Sequence, residues 1–140
     1  MRLVHVLVLA AVLPCTAAAD AAGQSPASVC RGTQQRREVA ELLFGRDIGR
    51  RLGVSETAWQ RFMAREITPR FPDGLTVTDA FGQWRDPDGR IVREPSKRVQ
   101  IVLPGKPDDG ARLDAVMSAY KRQFRQQSVG LILESACVSF

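Results

Sequence analysis

Residues 67–98 read ITPRFPDGLTVTDAFGQWRDPDGRIVREPSKR, and this stretch decides the fold. Two Pro-Asp-Gly turns, at residues 72–74 and 87–89, bracket a segment in which apolar residues such as Leu75 and Val77 alternate with threonines. Alternation with period two is typical of a β-strand with one buried face. In each turn, proline presets φ and glycine takes the left-handed conformation. The stretch therefore predicts a β-hairpin.

The second strand of this hairpin contains a proline. The strand begins at Ile91 and Val92, and its alternation resumes at Val99 and Ile101, with Pro95 in between. Proline has no backbone N–H to donate to a neighbouring strand. We therefore expect a bulge or an edge kink at Pro95.

Apolar residues at three- and four-residue spacing predict two helices that flank the hairpin. The first helix is expected over residues 56–67, with Ser55 as its N-cap and Pro69 as its stop. The second is expected over about residues 111–126, with its cations near the C-terminus, where they favour the helix dipole. Both helices are amphipathic, so each is expected to bury one side against the sheet.

Two further strands complete the element order. Residues 38–44 and 128–134 alternate in the strand period, which gives the order β-α-β-β-α-β. With right-handed crossovers, this order favours a ferredoxin-like α+β sandwich, an antiparallel sheet with two helices on one face. A single α+β domain is predicted over residues 36–140.

The N-terminus is typical of an export signal. Residues 1–19 combine a basic start, an apolar stretch and small residues before the expected cleavage point, and residues 20–35 are predicted to be a flexible segment. The apolar run is about half of the ~20 residues that a membrane span requires. We expect an exported protein, periplasmic or secreted. Lipid anchoring through Cys15 is the alternative, which Pro14 disfavours.

Export constrains the chemistry of the mature chain. Cleavage would remove Cys15 and the sole histidine, His5, and would leave Cys30 and Cys137. In a ferredoxin-like fold, the first strand starts near the end of the last, so these cysteines are predicted to form a disulfide. A histidine-free chain excludes Ser-His-Asp and Cys-His catalysis and His-based metal sites. We predict no metal and no cofactor.

Candidate binding residues cluster in and after the hairpin. Asp79 falls on the same face of its predicted strand as the core-facing residues, so its carboxylate must have a hydrogen-bonding or charged partner or a shifted pKa. A hydrogen bond to a neighbouring loop is favoured over a role as a catalytic base. Trp84 and Arg85 could stack on a planar ligand. Glu94 could form an anion or carboxylate site with its basic neighbours, although a solvated ion-pair cluster is the favoured alternative. Those neighbours are Arg93, Lys97 and Arg98.

The expected fold leaves one sheet face without helices. That face is part apolar and part charged, and an exposed apolar patch is often used for binding. We favour self-association as a homodimer or contact with a small ligand or an envelope protein over plain solvent. The residues assigned to the face are Glu41, Leu43, Thr76, Thr78, Arg98, Gln100, Val102 and Ile132.

The net charge of +5 is modest and its signs alternate along the chain, so a mixed solvated surface is the simplest interpretation. Export argues against nucleic acid as a partner. The leading hypothesis is a non-catalytic binding or self-associating module. The alternative is a cofactor-free enzyme of the dimeric α/β-barrel kind, with Asp79, Glu41 or Glu94 as its base.

The central string TPRFPDGLTV, the continuation GQWRDPDGRIVREPSK, the later AYKRQF and the terminal ACVSF resemble the bacterial exported family called domain of unknown function 3574. The resemblance extends over roughly residues 30–140. It implies an export signal or lipobox, and it implies no activity and no catalytic residue.

Overall fold

A computed structural model describes residues 29–49 and 51–140, so the expected export signal lies outside the described residues. Its main sheet has four strands in the order β4-β5-β1-β6, and every neighbouring pair is antiparallel. Two helices complete a ferredoxin-like α+β fold, as predicted. The elements are β1 (Gln35–Gly45), β2 (Asp47–Ile48), β3 (Arg51–Leu52), α1 (Glu56–Phe62), a π-helical turn (Met63–Ile67), β4 (Thr76–Arg85), β5 (Ile91–Val102), α2 (Asp109–Phe124) and β6 (Gly130–Val138).

Helix α1 begins where the sequence predicts, and the π-helical turn that follows it ends at the predicted Ile67. The Ser55 hydroxyl accepts a hydrogen bond from the Ala58 N–H at 3.2 Å, which satisfies one of the free donors of the first turn. The final turn widens into a π-helix in which Thr68 N–H donates to the Met63 carbonyl at 2.9 Å. Pro69 follows directly. The predicted helix over residues 56–67 is therefore an α-helix with a π-helical end.

An aromatic cluster joins both helices to the sheet. Phe44 of β1 contacts Tyr120 of α2 and Trp59 of α1, with ring centroids 4.7 and 5.2 Å apart. Phe62 and Phe124 extend the cluster along the helices. All of these side chains are buried, and their tilted and edge-on contacts are those that aromatic pairs prefer. The cluster holds the end of β1 in place.

Strand β5 runs through Pro95 without the expected bulge. Its pairing with β4 keeps one register from Arg85–Ile91 to Thr76–Gln100, with Pro95 opposite Phe81. The pairing of β5 with β1 ends one residue after Pro95, at Ser96. The Pro95 carbonyl accepts a hydrogen bond from Arg46 on the β1 side. Because N–H and C=O of a strand residue point to the same side, the missing donor falls at the end of this ladder, where little pairing is lost.

The predicted disulfide is present. Cys30 and Cys137 are bonded, with 5.3 Å between their Cα atoms. Cys137 lies opposite Arg36 in the β1–β6 ladder, so the bond closes the chain where the first and last strands begin and end together.

The sheet has one face against the helices and one face without them, which we call the open face. Two rows of paired residues cross it, one through Glu41 and one through Leu43. The register confirms the predicted strand phases: Val102 and both rows lie on the open face. The rows are Thr76–Gln100–Glu41–Ile132 and Thr78–Arg98–Leu43–Gly130.

Candidate functional site

A groove of about 750 Å³ lies on the open face beside the β4–β5 hairpin. Its floor is a row of small residues, because Ala80, Ser96 and Gly45 are neighbours across three strands. Leu43 and Gly130 bound it toward β6, and the loop between α2 and β6 closes one end. The groove therefore arises from missing side-chain volume on a regular sheet. We call it the hairpin groove.

Glu94 provides the carboxylate of the hairpin groove. One of its oxygens accepts a hydrogen bond from the Trp84 indole N–H at 3.0 Å, and the other accepts from the Asp47 backbone N–H at 3.1 Å. Within residues 29–49 and 51–140, no lysine or arginine makes a salt bridge to Glu94. The carboxylate is thus held in position by two N–H donors and is not neutralised by a cation.

Gly45 makes room for this carboxylate. A Cβ atom at Gly45 would lie 2.7 Å from both oxygens of Glu94, closer than real Cβ atoms approach. The Gly45 carbonyl accepts a hydrogen bond from the Tyr120 hydroxyl at 2.8 Å, which ties the groove floor to α2. Burial raises the pKa of Tyr120, so the phenol is neutral and remains a donor. On the β6 side, a Cβ at Gly130 would lie 3.1 Å from that of Leu43.

A separate charge cluster lies on the helix face. Lys97 is only 5% exposed, and its Nζ lies 2.6 Å from Asp79 and 2.9 Å from Glu56. The hydrogen bond from Lys97 lowers the pKa of both Asp79 and Glu56. Burial disfavours the charge of Lys97, but its hydrogen bonds to Asp79 and Glu56 raise the pKa of Lys97 overall. Arg46 adds a contact to Glu56 at 3.4 Å. We call this set the Lys97 cluster.

The six residues singled out in the sequence thus separate in space. Trp84 and Glu94 meet in the hairpin groove, and Asp79 and Lys97 meet on the opposite face of the sheet. The partner of Asp79 is a lysine of the neighbouring strand, where the sequence suggested a loop. Arg85 donates to the Gly89 carbonyl within the hairpin turn, and Arg93 is exposed on the helix-facing side of β5.

Sequence reasoning missed Gly45, Asp47 and Glu56. With a strand predicted over residues 38–44 and a helix over 56–67, Gly45 and Asp47 fall in the connection between them and Glu56 at the helix start. Their roles in the hairpin groove and the Lys97 cluster depend on contacts between residues that are 41 to 49 positions apart in the sequence. Examples are Asp47 with Glu94 and Glu56 with Lys97. A glycine at the end of an apolar strand was the one signal available. Local patterns do not contain such long-range pairings.

Within the part of the chain that the structure describes, no group of three or more His, Cys, Asp or Glu side chains is placed to hold a metal ion. No helix in that part is long and apolar enough to cross a membrane.

The fold is similar to that of a phage SAM lyase. The lyase in complex with S-methyl-5'-thioadenosine has a TM-score of 0.57 and 18% identity, covering 81% of this chain and 97% of the lyase. Its apo state has a TM-score of 0.56 and 16% identity, covering 81% and 98%. CutA from Synechococcus elongatus has a TM-score of 0.48 and 12% identity, covering 73% and 78%. At these identities, the likeness to the lyase establishes the fold alone.

No functionally curated protein matches the sequence. The family described as "Protein of unknown function (DUF3574)" matches residues 39–140, which is more than half of the chain and contains both strands of the β4–β5 hairpin. This match confirms the resemblance to that family. The chain belongs to the DUF3574 family.

Proposed function

We propose that the protein is a non-catalytic binding module and that the hairpin groove is its ligand site. The observation that carries the proposal is the Glu94 carboxylate, which two N–H donors hold at the groove floor without a neutralising cation among the described residues. Ordered polar groups in a concave, partly apolar groove are typical of small-molecule sites, which have volumes of roughly 300–1,000 Å³. The hairpin groove falls in that range at about 750 Å³.

Trp84 supports a ligand-binding role for the groove. Its side chain is 43% exposed, although a large aromatic residue contributes most to stability when buried. The other tryptophan, Trp59, is buried in the core. The exposed indole is fixed by its hydrogen bond to Glu94 and lines the groove, so it offers a rigid apolar surface to a ligand.

The proposal is tested by protein-observed NMR with a library of small metabolites. A ligand of the groove is expected to shift the indole N–H of Trp84 and the backbone N–H groups of Asp47 and Gly130. The indole N–H of Trp59 is the internal control, because it is buried on the helix side of the sheet. A library in which no compound shifts the groove resonances saturably would contradict the proposal.

Self-association through the open face is a second part of the proposal. Leu43 and Ile132 are 38% and 44% exposed on this face, and each lies in one of the two rows that cross the sheet. A second copy related by a two-fold axis would cover the same residues on both chains. We propose a homodimer in which the open faces meet and the hairpin grooves lie at the border of the contact.

The enzyme alternative requires a carboxylate base. Asp79 is exposed and its pKa is lowered by Lys97, so its basicity is reduced. Glu41 is ion-paired with Arg98. Glu94 alone of the three candidates lies in a groove, and the shared fold with a phage SAM lyase supplies a substrate to test.

Incubation of the protein with SAM, followed by chromatography for S-methyl-5'-thioadenosine, tests the enzyme alternative. No turnover is expected. Release of S-methyl-5'-thioadenosine that is abolished in Glu94→Gln would favour the enzyme.

We also propose that the protein is exported and that residues 36–140 act as one domain. The disulfide supports export, since such bonds persist in oxidising compartments. Fractionation of cells that express the full chain, with thiol labelling of each fraction, tests this location.

A further inference from the structure

We infer that the ligand of the hairpin groove is a small organic cation, an ammonium or sulfonium group carried on an apolar or planar body. This inference rests on the proposed function, because it assigns a chemical class to the ligand of the same groove. Three features of the groove carry it: the charge of Glu94, the placement of Trp84 and the balance of charges at the rim.

Glu94 sets the sign of the ligand charge. A ligand that fills the groove displaces water from the carboxylate, and a carboxylate removed from water without a counter-charge is strongly unfavourable. The described part of the protein supplies two N–H donors to Glu94 and no lysine or arginine in salt-bridge contact. A neutral or anionic ligand would leave this charge uncompensated. A cationic ligand would supply the missing partner.

Trp84 sets the type of cation. Its indole N–H points at Glu94, so the ring lies directly beside the carboxylate while 43% of the side chain stays exposed. Tryptophan is the aromatic side chain that binds cations best over its face, and alkylated ammonium groups are the ligands most often recognised in this way. An indole and a carboxylate side by side favour an alkylated cation over a strongly hydrated metal ion.

The rim of the hairpin groove, like Glu94, carries net negative charge. The charged groups that line the groove, within residues 29–49 and 51–140, are four acids and one base: Asp47, Asp86, Asp88, Glu94 and Arg125. Arg90 pairs with Asp86 and Asp88 on the outer side of the turn, which leaves Asp47 and Glu94 as the acids at the sheet. An excess of acid at the mouth attracts cations and raises their local concentration. The small residues Gly45, Ala80 and Ser96 leave space for an alkylated head.

The test compares choline with 3,3-dimethyl-1-butanol, its neutral isostere, in NMR titrations of the purified protein. Choline is expected to shift the Trp84 indole N–H saturably and to bind at least about tenfold more tightly than the isostere, which corresponds to about 1.4 kcal/mol. Glu94→Gln is expected to remove the preference for choline and to keep any binding of the isostere. Gly110→Ala, a helix position away from the groove, is the matched control and is expected to keep the preference.

Each outcome bears on the inference in a defined way. Equal binding of choline and the isostere in the groove overturns the cation class and leaves the groove as a ligand site. Binding of neutral compounds alone also overturns the cation class and leaves the groove as a ligand site. If neither probe nor any library compound shifts Trp84, Asp47 and Gly130, the proposed function fails as well. If Glu94→Gln folds poorly, Gly45→Ala replaces it in the titrations, because this variant displaces the Glu94 carboxylate without removing it.

Discussion

At the scale of single residues, Gly45 performs two tasks with its backbone and its missing side chain. Its carbonyl binds the buried Tyr120 hydroxyl, and the space above its Cα holds the Glu94 carboxylate. Its φ lies outside the left-handed region, so an alanine would be tolerated by the backbone itself. The requirement for glycine is therefore one of space.

Gly45→Ala is expected to push the Glu94 carboxylate away from Trp84 and Asp47. Loss of these two hydrogen bonds is expected to lower the free energy of unfolding by about 2 kcal/mol, since one such bond contributes about 1 kcal/mol net. Urea unfolding measures the stability, and the NMR resonance of the Trp84 indole N–H reports the broken contact. Gly110→Ala is the control, since nothing lies within 4 Å of a Cβ there. An unchanged indole resonance in Gly45→Ala would show that the carboxylate does not occupy this space.

At the scale of elements, the Lys97 cluster connects β4 and β5 to the start of α1. Asp79 lies on β4, Lys97 on β5 and Glu56 in the first turn of α1, where an acid also favours the helix dipole. The cluster therefore links these three elements by ion pairs in addition to their core packing. Both acids are largely exposed, so solvent screens the pairs.

The lowered pKa values of Asp79 and Glu56 predict an acid-dependent loss of stability. An acid whose pKa is lower in the folded state contributes stability that is present above its unfolded pKa and disappears as the pH falls through the folded value. The free energy of unfolding is therefore expected to be flat near neutral pH and to fall below about pH 4.5, the ordinary value for Glu56. The raised pKa of Lys97 acts at the other end, so its contribution is lost only above about pH 10.5.

Lys97→Met is expected to weaken this acid dependence, because it removes the partner of both carboxylates. Urea unfolding between about pH 3 and pH 7 measures the slope, since linkage relates the slope to the protons bound by each state. Arg93→Met is the matched control, an exposed cation on the same side of β5. A variant at Lys97 with the same slope as the wild-type protein would mean that the cluster does not form in solution.

At the scale of the whole molecule, β6 offers one apolar residue on each face of the sheet, so that variants at the two positions can be compared. Ile132 lies on the open face and Leu133 on the opposite face, and they are 44% and 49% exposed. Similar size, exposure and strand position mean that a charge at either site has a similar effect on the monomer.

Ile132→Lys is therefore expected to weaken the proposed homodimer at least about tenfold, whereas Leu133→Lys leaves it intact. The reason is that burying an unpaired ammonium in an apolar contact is unfavourable. Sedimentation velocity over a range of concentrations measures the dimer. A wild-type protein that stays monomeric at high concentration, or a dimer lost in Leu133→Lys alone, would contradict the use of the open face.

Much of the fold could be predicted from the sequence. The hairpin, both helices and the strand phases follow from local periodicity and turn chemistry, which act over a few residues. The expected bulge at Pro95 is absent because a proline disturbs a strand only through the neighbour that needs its N–H. The register of β1 with β5 decides where the pairing of these two strands ends, and no local sequence pattern contains that register.

The candidate site was less predictable. The sequence identifies Trp84 as a stacking residue and Glu94 as a member of a charged cluster, in two separate hypotheses. The hairpin pairing, Gly82 with Glu94 and Trp84 with Val92, brings the two side chains together on one face. Gly45, Asp47 and Glu56 were missed because their partners come from distant parts of the chain.

The sequence by itself determined the element order, the ferredoxin-like topology and, through that topology, the pairing of Cys30 with Cys137. It also assigned the residues of the open face. The tertiary structure alone decided that Glu94 lies over Gly45 with no salt bridge to a cation among the described residues. Lys97, three residues later, lies on the other face with Asp79 and Glu56. The physical reason is that alternation sends successive side chains to opposite faces, and only strand register and helix packing determine what each one meets there.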